Sequence, residues 1–177
     1  TTDNCMAGWT YLSEAGYLPA SASAPADTGD LFNISGRVAV ADGGSTIAGF
    51  TITGTKTVLI RAVGPKLQDF GVTGFMADPT MTLNKSRFDG NPADVIATVD
   101  NWDSGGAESA ARIVAAVAFA GLPPFLATND FQGNALPTDD TTSTAALVTL
   151  TEGVYTVVVS DVAGGGGEVL IDVTIVE

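Results

Sequence analysis

The residues best placed to do chemistry are oxygen donors. Asp100-Asn101-Trp102-Asp103 offers three oxygen-bearing side chains at the end of an apolar segment, and Asp89, Asn91 and Asp94 lie shortly before it. Hard cations such as calcium are held by carboxylate and amide oxygens, so Asp100, Asn101 and Asp103 are candidate calcium ligands. The D-x-[DN]-x-[DN]-G spacing of an EF-hand is absent, and the competing reading is a turn whose Asp and Asn cap backbone groups while Trp102 packs on the core. Asp139-Asp140, with Asp130 nearby, forms a second acidic group in a threonine-rich stretch. It is a candidate second ion site, or, with Trp102 and Phe131 as aromatic platforms, Asp139 and Asp140 are candidate contacts to a carbohydrate or another surface ligand; a solvated loop is the plainer alternative.

Other chemistries are excluded by composition. The 177 residues contain no histidine, which removes the usual general base and the commonest transition-metal ligand, and with them Ser-His-Asp, Cys-His and zinc-hydrolase schemes. Cys5 is the only cysteine, so no internal disulfide or thiolate cage can form; it is either a buried thiol or a link between chains. Paired carboxylates of the glycosidase kind remain open because acidic residues are plentiful, but nothing singles out a pair, and the chain reads as a non-enzyme. Gly164 to Gly167 lacks the Lys-Ser/Thr that follows a phosphate loop, and it joins strands rather than opening a helix.

Twenty acidic residues against seven basic ones give a formal charge of −13, which repels nucleic acid and anionic lipid. No apolar run is long enough to span a bilayer. The chain starts at Thr1 rather than methionine, and with the acidic, Thr- and Gly-rich composition this suggests export behind a removed signal peptide, to the cell surface or beyond. Asn33-Ile-Ser35 and Asn84-Lys-Ser86 match the N-glycosylation pattern, although Asn33 falls in a strand.

The elements that must position these groups are mostly strands. Apolar, β-branched segments run from Leu31 to Ala41, Ile47 to Thr53, Thr57 to Val63, Thr80 to Asn84, Val95 to Val99, Ala145 to Leu150, Val154 to Val162 and Glu168 to Val176. The first three, joined by short turns, predict an antiparallel meander; the last two, joined by a tetraglycine loop, predict a hairpin. Alternation along the final segment predicts one buried face. Arg61, inside an apolar strand, either pairs with a buried carboxylate or lies on the outward face, and the outward face is expected. Ala107 to Ala120 reads as the one good helix, with Ser104 as N-cap and Gly121 and Pro123-Pro124 as its stop. Asn129 to Thr144 reads as a polar loop. The resulting expectation is an all-β, antiparallel β-sandwich of jelly-roll type, residues 31–177, with one short helical insertion.

Residues 1–30 form an N-terminal arm and linker. Cys5, Trp9, Tyr11, Leu12, Tyr17 and Leu18 precede a small-residue linker, Pro19-Ala-Ser-Ala-Ser-Ala-Pro25. Each aromatic that leaves water stabilises by about 2 kcal/mol, so these side chains are candidate anchors that dock on the chain's own domain or on a neighbour's.

Several phrases resemble a repeat domain of large secreted and surface proteins of bacteria: Ile34-Ser-Gly-Arg-Val-Ala-Val, Ile47-Ala-Gly-Phe-Thr-Ile-Thr-Gly, Lys56-Thr-Val-Leu-Ile-Arg-Ala-Val-Gly-Pro65, Phe70-Gly-Val-Thr-Gly, Ala77-Asp-Pro, Asp100-Asn-Trp102 and Gly153-Val-Tyr-Thr-Val-Val-Val. The resemblance covers about 31–177. It implies a β-rich extracellular module, binding or structural, without catalytic residues. The segment Pro123 to Thr144 and the arm depart from that pattern. Together these features lead to a structural or adhesive subunit that assembles into a homo-oligomer, fibre or array through the arm. The alternative is a glycan- or surface-ligand-binding sandwich, calcium-stabilised.

Overall fold

The computed structural model describes residues 32–129 and 133–176. Two four-stranded antiparallel sheets face one another. The strands are β1 (Asn33–Val40), β2 (Ser45–Ile52), β3 (Lys56–Val63), β4 (Pro79–Lys85), β5 (Asp94–Val99), β8 (Thr144–Leu150), β9 (Gly153–Asp161) and β10 (Gly167–Ile175). Helix α1 (Ala107–Phe119) and a small ribbon, β6 (Thr128–Asn129) with β7 (Ala135–Leu136), separate β5 from β8. Sheet order is β1-β10-β3-β8 in one sheet and β2-β9-β4-β5 in the other.

All eight predicted strands are present within a residue or two, but their pairing differs from the expectation. β1, β2 and β3 do not form a meander, and β9 and β10 do not form a hairpin: consecutive strands pass from one sheet to the other at every connection except β4–β5. Pairing is nested instead, β4 with β5, β3 with β8, β2 with β9 and β1 with β10. A short turn fixes where the chain reverses but not which sheet the next strand joins.

The core between the sheets is built from alternate residues. Val58, Ile60 and Ala62 of β3 and Val169 and Ile171 of β10 meet Met81 and Leu83 of β4 and Tyr155, Val157 and Val159 of β9. A second core covers the outer face of the β3 sheet, where Leu59, Val63 and Ala145 pack under Ile113, Ala116 and Val117 of α1 with Trp102 and Phe125. β3 is therefore buried on both faces, which is why it reads as a continuous apolar run rather than an alternating one. β10 likewise has no free outer face in its middle, and both Asp172 and Thr174 are buried.

Helix α1 presents Ile113, Ala116 and Val117, spaced i, i+3, i+4, to that sheet. Ser104 is not its N-cap; the cap is Gly106 at φ 86°, and the Ser104 hydroxyl donates to the Asn101 carbonyl instead. The stop is as expected. Gly121 has φ 65°, its N–H donates to Ala118 O and that of Leu122 to Val117 O, a Schellman motif that satisfies the last carbonyls.

The second core changes the meaning of Arg61. It does not face water: it is buried, and its guanidinium makes a forked contact to Asp172 on the neighbouring β10, with Nη2 at 2.8 Å and Nε at 3.1 Å. Nη1 donates to Pro123 O at 2.7 Å, and the group stacks 5.4 Å from the Phe125 ring centre. Lys66, just after β3, is also buried. Its ammonium reaches the carbonyls of Leu126, Leu136 and Thr138 and lies 2.9 Å from Asp69. Arg61 thus holds the start of the 123–144 segment at Pro123, and Lys66 ties down the part expected as a polar loop through Leu136 and Thr138.

Removing one partner of a buried ion pair strands the other charge, so Asp172→Asn or Arg61→Met should cost about 3–5 kcal/mol in chemical denaturation. The double variant Arg61→Met, Asp172→Leu should recover most of that loss; a double variant no better than the singles would show that shape, not charge, is what the site requires.

Candidate functional site

The expected ligand-binding residues are not brought to the surface as a group. Trp102 lies in the outer core, its ring stacked on Phe125 at 5.2 Å between centres and 6° between planes, and its Nε1 donates to Asp140 O at 2.8 Å. Asp140 is buried rather than solvated. One carboxylate oxygen accepts the N–H groups of Thr142 and Ser143, and the other accepts the N–H of Lys66 and the Ser143 hydroxyl. Asp139 accepts Ala127 N–H at 2.7 Å. Trp102 Nε1 and both Asp140 carboxylate oxygens bond within the protein and hold the 123–144 segment closed, while Phe131 lies outside the described residues. Trp102 and Lys66 reach Asp140 from 38 and 74 positions away, so this part of the network cannot be read from local sequence.

Asp100, Asn101 and Asp103 sit where expected, on the turn after β5, and that turn caps itself. Asn101 O accepts Ser104 N–H and Asp103 O accepts Gly106 N–H. The hairpin-tip carboxylates have another partner, because Arg87 bridges Asp89 and Asp94 at 3.1 and 3.0 Å. Among the described residues no group of three or more Asp, Glu, Cys or His side chains is arranged to hold a metal ion. Asn33 and Asn84 both lie within strands, and their amide nitrogens donate to Thr174 Oγ1 and Thr82 O.

The assembly residues Cys5, Trp9, Tyr11, Leu12, Tyr17 and Leu18 lie outside the described residues. What can be described is the surface available to an arm. β1 and β2 are edge strands, and their inward positions follow from register, since residues directly opposite each other share a face. Ile34 and Val38 oppose the core residues Val173 and Val169, yet they are 56% and 37% exposed. Across the seam, Ala48 and Phe50 oppose the fully buried Val157 and Tyr155 but are only partly covered. The core closes between β10 and β9 and gapes between β1 and β2.

β2 reads Ser-Thr-Ile-Ala-Gly-Phe-Thr-Ile over eight residues, without charge, proline or bulge, and it pairs only with β9 among the described residues. Edge strands usually carry such interruptions to prevent pairing. β1 has one, Arg37, bound to Glu168 at 3.1 Å. A separate apolar cavity of about 540 Å³ lies at the end of α1, lined by Val117, Leu122, Phe125, Leu126 and Leu136 among others. Among the described residues its walls are mostly apolar, with Thr128 and Asn129 as the polar side chains at one end.

Where the chain leaves β9, Asp161 and Asp78 face one another in opposite circumstances. Burial raises the Asp161 carboxyl, but the N–H groups of Gly165, Asp78, Ala163 and Ala77 outweigh it and hold Asp161 below the ordinary carboxylate value. Asp78 is raised by burial and by the like charges of Asp100 and Asp161, and its buried Oδ1 has no hydrogen-bond partner. A carboxyl raised in the folded state favours folding below its unfolded value, about 3.9, and that contribution is lost as pH rises through the folded one. Asp78→Asn should therefore raise the denaturation midpoint at pH 7 and lose its advantage below about pH 3. An unchanged midpoint at pH 7 would show that Asp78 is not strained by its neighbours.

No family model matches the chain, and no curated protein matches it. Among solved structures it is similar to the pre-peptidase C-terminal domain of a collagenase from Bacillus anthracis, with 12% identity, a TM-score of 0.44, and coverage of 81% of this chain and 90% of that one. It is also similar to the Yersinia pseudotuberculosis-derived mitogen, at 10% identity, a TM-score of 0.40, and coverage of 82% and 86%. Likeness at this level carries no argument about activity or partners. The chain itself is an antiparallel, mostly β sandwich with one short helix.

Proposed function

We propose that this chain is a non-catalytic structural or adhesive subunit that acts outside the cell and self-assembles, the arm 1–30 of one copy docking on the sandwich of the next. The observation that carries this reading is the open seam between β1 and β2, where inward-facing Ile34 and Val38 lie exposed beside an uninterrupted edge strand. An aromatic arm and an uncovered apolar seam each cost free energy in water, and burial of one by the other offsets both.

The nested pairing, with strands crossing between sheets at all but one connection, supports the jelly-roll reading of the sandwich. In that topology the first two strands fall at edges. Trp102 and Asp140, the residues that motivated glycan binding, are occupied internally, so the alternative has lost its strongest support. Calcium, if bound, would serve stability rather than recognition.

The expected outcome is concentration-dependent assembly of the full chain, read by light scattering and electron microscopy. Removing residues 1–25 should leave a folded particle with the mass of a single chain. Assemblies of unchanged size and form after that deletion would rule the arm out.

A further inference from the structure

Resting on that reading, the geometry points to β2 as the acceptor and to residues 5–12 of a neighbouring copy as the strand added to it. Four observations on β2, the seam and the arm converge on this pairing.

β2 is a regular eight-residue strand with its register to β9 unbroken, and among the described residues its other edge has no strand partner, so that edge offers an unbroken row of N–H and C=O groups over about 26 Å. The other edges are less suited. β1 carries the Arg37–Glu168 pair, and β5 has only six residues beside a register shift at Leu83/Asn84. β8 borders the face that α1 covers. A strand joining β2 would enlarge its sheet to five strands and place alternate side chains over the seam, against Ile34, Val38, Ala48 and Phe50.

The arm contains one segment that suits this edge. Cys5-Met-Ala-Gly-Trp-Thr-Tyr-Leu12 has eight residues, no charge and no proline, and Trp9 and Tyr11 stand at i, i+2, on one face of any extended strand. Acidic residues flank it at Asp3 and Glu14 and terminate the uncharged run. In a chain of charge −13, two copies repel, so contact is cheapest where both partners are uncharged. The 19 residues from Ser13 to Leu31 reach on the order of 60 Å when extended, enough to carry the segment to another copy.

The full chain tests this in two ways. Ala48→Lys points a charge into the seam and should reduce the assembled mass to that of one chain, 17.9 kDa, without loss of the cooperative melt, while Ile96→Lys on the β5 edge should leave assembly at wild-type level. Independently, the native Cys5 reports position. Ser45→Cys or Thr53→Cys, at the two ends of β2, should give a ladder of chains on a non-reducing gel, with the reactive end revealing strand direction, and Thr98→Cys on β5 should not. The disulfide assay also decides the matter if Ala48→Lys fails to fold.

A wild-type chain that stays monomeric at all concentrations overturns both this pairing and the assembly reading. Arm-dependent assembly with an inert Ala48→Lys and no ladder from either end of β2 overturns only the assignment to β2. A disulfide formed within a single chain, with no ladder, overturns the exchange between copies.

Discussion

Arg61 on β3 is the residue on which the outer half of the structure depends. A buried guanidinium must be neutralised where it sits, and Asp172 does so from the adjacent strand while Pro123 O takes a further N–H. That contact fixes the exit from α1, and the exit fixes where the 123–144 segment begins. Lys66 and Asp140 then fasten the rest of the segment, the first through three carbonyls and Asp69, the second through four donors. Take away the cations and the carbonyls they bind lose their partners together.

This closure makes the molecule asymmetric. The middle of one sheet, β3 and β10, is covered on both faces, with polar groups paired across long sequence separations. The opposite region, where β1 and β2 border the seam, holds no comparable anchor: Ile34 and Val38 project from a strand that is exposed over most of its length. With two of seven cations buried and Arg87 spent on Asp89 and Asp94, little positive charge remains at the surface to attract another strongly acidic copy. Any self-association must rest on backbone pairing and apolar contact rather than on complementary charge.

Strand positions were legible because period-two apolar patterning and Gly or Pro boundaries are local, and the chain obeys them in β4, β9 and β10. The helix and its Gly121 stop were legible for the same reason. Ser104 misled because a residue suited to capping can spend its hydroxyl on Asn101 O when a glycine with positive φ starts the helix. The burial of Trp102 and Asp140 was not legible because an exposed aromatic–acidic pair and a buried hydrogen-bonded one are written with the same letters.

The sequence by itself determined which segments are extended, which one is helical, that no histidine chemistry or internal disulfide is available, and that the chain is strongly acidic. Each follows from residue identity or from spacing within a few positions. Only the tertiary structure decided which sheet each strand joins, that Arg61 faces Asp172 rather than water, that the acidic loop is an internal fastening, and that the seam at β1 and β2 is open. Those outcomes depend on contacts across 38 to 141 positions, as between Trp102 and Asp140 or Asn33 and Thr174, and a local pattern carries no information about a partner that far away.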